Sequence, residues 1–220
     1  MAKLNPGFHR SVFINCPFDD EYRPLLRALI FTVLDCGLQP RIASETVDSG
    51  QVRIERIRDL IVSSRFSVHD LSRISPLRTG DLPRYNMPFE LGLDLGCRFY
   101  GHEELQKKRC LILDKEPYRY QKALSDISGQ DIRAHGDDPE TLIAKVRGWL
   151  KVTTQRELQS GSPIWQRFSE FTSRLELKLI REGFTADEIK NLEVPELIEH
   201  TKMWIGSEAP HEARSPQSSS

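Results

Sequence analysis

The chain has 220 residues, which suits one domain of ordinary size plus an appendage, and a domain of about 150 residues can bury a substantial core. Its 31 Lys and Arg residues nearly cancel its 32 Asp and Glu residues, and the resulting net charge of −1 makes a nucleic acid an unexpected partner. No apolar run approaches the roughly 18 residues that cross a bilayer, and "MAKLNPGFHR" lacks the apolar stretch of a signal peptide, so we expect a cytoplasmic protein without a membrane segment.

The first 154 residues alternate between strand-like and helix-like hydrophobic patterns. In chain order, the pattern predicts a strand over 11–16 ("SVFINC"), a helix over 21–37, a strand over 39–44, a helix over 49–65, a strand over 66–72, a helix opened by "NMPFELGLDLG", a strand over 109–114 ("RCLILD"), a helix over 120–128, a strand over 131–135 and a helix over 138–154. Five strands separated by helical crossovers predict an α/β protein with a flavodoxin-like, doubly wound, five-stranded parallel sheet.

The polarity of the chain changes after this α/β domain, predicted over 1–154. A helical extension is predicted over 155–206, with an amphipathic helix over 164–184 and one or two short helices over 185–205. The apolar face of this extension needs a partner surface, either the main domain or another subunit: Trp165, Phe168, Phe171, Leu175 and Leu179. We predict that these helices mediate homo-oligomer formation. The polar, Pro- and Ser-rich segment 207–220 is predicted to be disordered.

The cysteines are widely spaced and form no CxxC pair: Cys16, Cys36, Cys97 and Cys110. The sequence therefore predicts no zinc site and no disulfide framework. It also lacks the GxGxxG loop, where "NCPFDDEY" follows the first strand, and the GxxxxGK[ST], GxSxG and HExxH motifs. These absences disfavour a dinucleotide-dependent dehydrogenase, a P-loop NTPase, an α/β-hydrolase and a zinc protease.

Loops that follow parallel strands meet at the carboxyl edge of the sheet, where open α/β proteins bind ligands. Four segments are predicted to converge there: "NCPFDD", "SETVDSG", "HDLSR" and "RYNMPFE". They supply Asp19, Asp48, Asp70, Glu90, Ser44, Ser72, Arg73 and Asn86. Two acids that flank such a cleft can cleave a glycosidic bond, one stabilising the oxocarbenium-like sugar carbon and the other orienting a hydroxyl group or a water.

Glu90 is predicted in the first turn of its helix, where the helix dipole favours an ionised carboxylate. Gly92 and Gly96 follow at four-residue spacing and are expected to let this helix approach the sheet or a ligand closely. A second interpretation is open, because Glu90, Asp94 and Arg98 share one helix face in the manner of a solvated ladder of charges.

Asp70 closes the third strand and is either a functional acid or a cap. His69, which precedes it, is expected to pack or to form structural hydrogen bonds. Asp19 and Asp20 open a helix, and helix capping explains at least one of them. The long segment 73–86 has the length of a lid.

Three of these motifs resemble elements of the TIR-like and nucleoside deoxyribosyltransferase-like superfamily: "VFINCPFDDEY", "FSVHDLS" and "NMPFELGLDLG". The resemblance covers about residues 10–150 and implies a flavodoxin-like fold that cleaves N-glycosidic bonds of NAD⁺, nucleosides or nucleotides, often in anti-phage effectors. The essential glutamate of that superfamily stands in an "ELG" context, which Glu90 matches. Asp70 matches an aspartate of the transferases, and Pro17 and Phe18 match a loop that lines the nucleoside pocket.

The resemblance leads to the prediction of an N-glycosidase that acts on NAD⁺ or a related nucleotide, with no resident cofactor and no metal. Glu90 would stabilise the ribosyl cation, and Asp70 would orient the sugar or a nucleophile. The expected substrate-binding residues are Asn15, Pro17, Phe18, Asp19, Ser44, Ser72, Tyr85 and Asn86. Two alternatives stay open: a nucleotide-sensing or TIR-like interaction module without turnover, and a deoxyribosyltransferase of salvage metabolism.

Overall fold

A computed structural model describes residues 6–45, 50, 52–74, 82–127 and 129–208. Within these ranges, five parallel strands form a sheet with the order β2-β1-β3-β4-β5. The strands are β1 (Ser11–Asn15), β2 (Gln39–Ile42), β3 (Phe66–Asp70), β4 (Arg109–Asp114) and β5 (Ile132–Ala134). The predicted α/β, flavodoxin-like architecture is thereby confirmed.

Eight α-helices occur in the described ranges. They are α1 (Arg23–Asp35), α2 (Arg53–Val62), α3 (Asn86–Tyr100), α4 (Glu103–Gln106), α5 (Pro139–Thr154), α6 (Gly161–Arg181), α7 (Ala186–Lys190) and α8 (Val194–Glu208). The helix predicted over 120–128 is wrong, since two short 3₁₀ segments, Arg119–Lys122 and Ser125–Ile127, stand there.

The helices cover both faces of the sheet, as side-chain alternation along β1 requires. Val12 and Ile14 belong to a core that includes α1 and α5, whereas Phe13, between them, packs against α2. The α3 helix lies beside α2 and on β1 and β3. Strands buried on both faces explain why every residue of β1 and β3 is buried.

The helical extension packs onto the α/β domain through the apolar face that the sequence analysis identified. Phe31 of α1 lies 5.5 Å from both Phe168 and Phe171 of α6, measured between ring centroids, and 5.7 Å from Trp204 of α8. Arg167 of α6 pairs with Asp35 at the end of α1, with 2.9 Å between the charged atoms. Of the two partner surfaces considered, the main domain therefore covers this face. The apolar face no longer argues for a second subunit, and homo-oligomer formation stays a prediction.

The last predicted segment, 207–220, overlaps the end of α8, which continues to Glu208. Residues 209–220 lie outside the described ranges. Across the helices that the structure describes, none combines the length and the apolar character required to span a bilayer.

Candidate active site at the carboxyl end of the sheet

The topological switch point of this sheet lies between β1 and β3, because α1 leaves β1 on one face while α2 returns to β3 on the other. Ligands of open α/β sheets bind at this crevice, outside the carboxyl ends of the two strands. Asn15 ends β1 and is paired with His69, and Asp70 ends β3 one residue later. Asn15, His69 and Asp70 therefore lie at the carboxyl ends of these two strands.

Glu90 is the fifth residue of α3 and is only 4% exposed. The prediction that it lies in the first turn, where the helix dipole favours an ionised carboxylate, is therefore wrong. Arg53, the first residue of α2, places its guanidinium 3.9 Å from the Glu90 carboxylate. No side chain or backbone group in the described part of the chain donates a hydrogen bond to that carboxylate. Burial raises the pKa of Glu90 to about 7, and the charge of Arg53 offsets only part of this effect.

The interpretation of Glu90 and Asp94 as a solvated ladder is wrong, because both side chains are buried. The expectation that Gly92 and Gly96 let the helix approach the sheet closely is wrong as well, and the same expectation for a ligand stays a prediction. Both glycines face away from the sheet, and no atom of another described segment lies within 4 Å of the position that a Cβ would take. The helix instead approaches the sheet through Met87, Leu91 and the two acids.

A buried network of hydrogen bonds fixes α3 on the sheet. Asn15 donates its amide N–H groups to the carbonyl oxygen of Met87 at 2.9 Å and to His69 Nδ1 at 3.0 Å. Because Nδ1 then accepts, the ring proton stands on Nε2, which lies 3.0 Å from Asp94 Oδ2. His69 therefore has the structural hydrogen-bonding role that the sequence analysis expected.

Asp94 also binds the ammonium group of Lys108, which is only 1% exposed, with 3.1 Å between Nζ and Oδ1. Ser67 donates a short hydrogen bond to the other carboxylate oxygen. Burial by itself raises the pKa of Asp94, but the hydrogen bond from His69 and the charge of Lys108 lower it to about 2. Asp94 is thus an ionised acid that is held by His69, Ser67 and Lys108.

Asp70 is fully buried on the opposite side of β3 from His69, because successive strand residues alternate between faces. Its carboxylate accepts hydrogen bonds from Tyr22 Oη at 2.7 Å and from the backbone N–H of Ser72 at 2.8 Å, and it lies 3.0 Å from His135 Nε2. Burial opposes ionisation, but His135, Ser72 and Tyr22 lower the pKa of Asp70 overall.

The two predicted catalytic acids thus approach the switch point from different faces of the sheet, and Cys16 lies between them. The Cys16 thiol is completely buried, and its pKa is raised by that burial and then by the negative charges of Asp70, Glu90 and Asp19. Three of the predicted carboxylates therefore converge around the residue that follows β1, as the sheet topology predicts.

Asp19 closes the turn before α1 and is an ion-pair partner. The expectation that helix capping explains Asp19 or Asp20 is wrong, because the N-cap of α1 is Tyr22 and no described side chain caps it. Its carboxylate accepts from the backbone N–H of Tyr22 at 3.0 Å and from the buried guanidinium of Arg73 at 3.2 Å. The Arg73 guanidinium carbon also lies 5.9 Å from the ring centroid of Tyr22. Arg73 and Asp19 consequently join the loops that follow β3 and β1.

The other predicted substrate-binding residues occupy different environments. Asn15, Pro17 and Ser72 are buried, and Ser44 is half-buried. Phe18, at 41%, and Tyr85, at 67%, are exposed, as is Asn86. Asp48 and most of the predicted lid, residues 75–81, lie outside the described ranges.

Sequence reasoning missed Tyr22, Lys108, Asp114 and His135. Asp114 ends β4, and His135 follows β5, so the rule that placed Asp70 at the carboxyl edge would have found both. Asp114 binds Arg119 and the backbone N–H of Lys115, the latter at 2.7 Å. Lys108 carries no comparable signal, because it precedes its strand.

His69, Asp94 and Cys110 place potential metal-ligand atoms within 4.8 Å of one another. Both ring nitrogens of His69 are already hydrogen-bonded, and Lys108 neutralises Asp94. The cluster fits a hydrogen-bonded core better than a metal centre.

Comparison of the chain with protein-family models, with curated proteins and with solved structures found no match. The functional argument therefore depends on the geometry of this edge of the sheet and on the sequence resemblance described above.

Proposed function

We propose that the protein is an N-glycosidase that breaks the bond between a ribosyl C1′ and a base, with NAD⁺ or a related nucleotide as substrate. The observation that carries the proposal is the environment of Glu90. Buried carboxylates are normally hydrogen-bonded, as Asp70 and Asp94 are here. Glu90 is buried at the switch point without such a partner from the described residues, and its oxygens are available to a ligand.

The chemistry needs one well-placed carboxylate. When the C1′–N bond breaks, its electron pair leaves with the base and C1′ becomes positively charged. An ionised Glu90 beside C1′ stabilises that positive charge, because an enclosed site screens the attraction between the two charges only weakly. Nicotinamide departs from NAD⁺ as a neutral base and requires no proton. A water then adds to C1′ and releases a proton to solvent.

The pKa of Glu90 suits a cationic substrate. With a pKa of about 7, the carboxyl group is partly protonated at neutral pH. A nicotinamide-ribosyl cation beside it favours the ionised form, just as any neighbouring positive charge lowers the pKa of a carboxyl group. Substrate binding would then expel a proton and create the charge that the reaction uses.

Asp70 receives a positioning role in this proposal, in place of direct contact with the sugar. It is fully enclosed by Tyr22, Ser72 and His135. Those contacts hold the chain that follows β1 against the chain that follows β3. We therefore expect Asp70 to orient Asn15, Pro17 and Phe18, while Tyr85 and Asn86 border the site from the start of α3.

The test is an assay of base release from NAD⁺, nucleotides and deoxynucleosides by the wild type and by Glu90→Gln. The matched control is Glu55→Gln, which changes an exposed glutamate in the first turn of α2. The proposal predicts base release by the wild type and the control, and none by Glu90→Gln. If the wild type releases no base from any of these substrates, the proposal is wrong.

Because the buried Asp70 does not contact the sugar in this proposal, a second candidate function is a module that binds a nucleotide without turnover. Tight nucleotide binding without a product, unchanged in Glu90→Gln, would support that module. Transfer of the sugar to a second base would instead identify a deoxyribosyltransferase. An effector role in anti-phage defence follows from the sequence resemblance alone, and loss of cellular NAD⁺ on expression would support it.

A further inference from the structure

A cavity of about 300 Å³ lies at the carboxyl edge of the sheet, beside the switch point. Its walls come from the segment after β1 (Phe18 and Asp19), the start of α1 (Arg23 and Arg27), the end of the β2 segment (Ser44) and the chain between α7 and α8 (191–194). The helical extension therefore completes a pocket that three predicted substrate-binding residues begin. This volume is at the small end of ligand pockets and accommodates part of a nucleotide.

Two buried polar atoms on the wall of this cavity have no hydrogen-bond partner in the described part of the chain. They are the hydroxyl oxygen of Ser44 and Nε of Arg23. The other end of the Arg23 guanidinium pairs with Asp20 at 2.9 Å. Buried polar atoms are rarely left unpaired, and each of these atoms can donate a hydrogen bond.

The wall carries two cations, Arg23 and Arg27, and two acids, Asp19 and Glu193. Arg27 is partly buried and donates hydrogen bonds to the backbone carbonyls of Ile189 and Lys190. Burial lowers the pKa of Arg27, and the neighbouring positive charge of Arg23 lowers it further. Asp19 pairs with the buried Arg73 and Arg23 pairs with Asp20, while the charge of Glu176 opposes the lowering of the Arg27 pKa. An anion between the two guanidinium groups would relieve their repulsion.

The cavity is close to the carboxylates around Cys16. Phe18 is only two residues beyond Cys16, and two residues of extended chain span at most about 7 Å. Asp19, which lines the cavity, is one of the three acids whose charge reaches the Cys16 thiol. Phe18 and Asp19 therefore connect the chain that follows β1 with the cavity.

We propose that this cavity binds the phosphate groups of the substrate, through Arg23, Arg27 and Ser44, and thereby selects nucleotides over nucleosides. This inference rests on the proposed glycosidase function for the identity of the ligand, but the phosphate site can be tested without turnover. It gives the helical extension a role in specificity, since the chain between α7 and α8 closes the pocket.

Calorimetric titration of the full-length Glu90→Gln protein with ADP, adenosine and inorganic pyrophosphate tests the site directly. ADP should bind most tightly, pyrophosphate more weakly, and adenosine at least about tenfold more weakly than ADP. Charge-assisted hydrogen bonds are worth about 1.5–3 kcal/mol, so adding Arg23→Gln should weaken ADP binding by roughly tenfold or more. Adding Ser44→Ala should weaken it by roughly threefold to tenfold, and neither change should affect adenosine.

Arg58→Gln is the matched control, because Arg58 forms an exposed ion pair with Asp59 at 2.9 Å and lies on α2, away from the cavity. It should leave ADP binding unchanged. Equal affinity for ADP and adenosine, binding of none of the three probes, or an equal loss in Arg58→Gln and Arg23→Gln would overturn the phosphate site.

The failure of this inference is distinguishable from that of the proposed function. If the wild type releases nicotinamide from NAD⁺ and Arg23→Gln leaves its KM unchanged, the phosphate site is wrong and the glycosidase stands. If ADP binding depends on Arg23 and Ser44 but the wild type releases no base, the phosphate site is supported and the glycosidase is not.

Discussion

His69 Nε2 of β3 lies 3.0 Å from Asp94 Oδ2 of α3, one helical turn after Glu90. One turn before Glu90, the carbonyl oxygen of Met87 accepts a hydrogen bond from Asn15 of β1. The segment that carries Glu90 is therefore tied to the two strands of the switch point on both sides. These hydrogen bonds hold the carboxyl group of Glu90, whose burial costs free energy, at the edge of the sheet.

Asp94→Asn should destabilise the protein by about 3–5 kcal/mol, because it leaves the buried ammonium group of Lys108 without a compensating charge. Urea unfolding monitored by circular dichroism measures this loss. Asp59→Asn, which removes an acid from the exposed pair with Arg58, should change the free energy of unfolding by less than about 1 kcal/mol. Similar losses in the two variants would contradict the account of the buried network.

Asp94 should also make the protein sensitive to acid. Its pKa is about 2 in the folded protein and 3.8 in its reference state. The folded state therefore binds the proton less readily, and the stabilisation present above about pH 4 is lost as the pH falls towards about 2. The difference in free energy of unfolding between wild type and Asp94→Asn should shrink across that interval. A constant difference would show that Asp94 is not the titrating group.

Glu90 should produce the opposite dependence. Its pKa rises from 4.5 in the reference state to about 7 on folding, so ionisation of the folded protein costs free energy above about pH 5. Relative to Glu90→Gln, the wild type should lose up to about 3 kcal/mol of stability between about pH 4.5 and about pH 7, since one pKa unit corresponds to about 1.4 kcal/mol. Urea unfolding at several pH values measures the difference.

The exposed residue Glu55, in the first turn of α2, provides the matched control for this measurement. Glu55→Gln should follow the wild type at every pH. Parallel curves for the wild type and Glu90→Gln would mean that Glu90 is not held in a desolvated environment.

Phe171 tests whether the helical extension is part of the main core. Phe171 is 4% exposed and stacks on Phe31 of α1, so Phe171→Ala should cost about 3–5 kcal/mol. Leu177, on the same helix, is 56% exposed, and Leu177→Ala should cost less than about 1 kcal/mol. Both variants should unfold in one transition with the α/β domain. A separate transition for the extension, or equal effects of the two substitutions, would contradict this packing.

The fold was largely predictable because its strands are buried on both faces and appear as short apolar runs between amphipathic helices. The four-residue helix α4 is too short to give a periodic pattern. The segment after β4 has the residue spacing of an α-helix, which led to the predicted helix over 120–128, but the chain forms two separate 3₁₀ segments there.

The site was only partly predictable. Sheet topology brought Asp19, Asp70 and Glu90 towards Cys16, as the sequence analysis expected. The burial of Glu90 and Asp94 depends on partners from distant strands, which helical spacing does not reveal. The same holds for Asp70, whose enclosure by Tyr22 and His135 results from contacts across 48 and 65 positions of the chain.

The most direct test of the central claim is kcat/KM for nicotinamide release, measured at NAD⁺ concentrations well below KM between about pH 5 and about pH 9, because kcat/KM reports the pKa of the free enzyme. If ionised Glu90 stabilises the ribosyl cation, kcat/KM should rise with pH through about 7 to a plateau, because deprotonation produces the active form. Glu90→Gln should release no nicotinamide at any pH. A kcat/KM that does not change through pH 7, or release that persists in Glu90→Gln, would contradict the account.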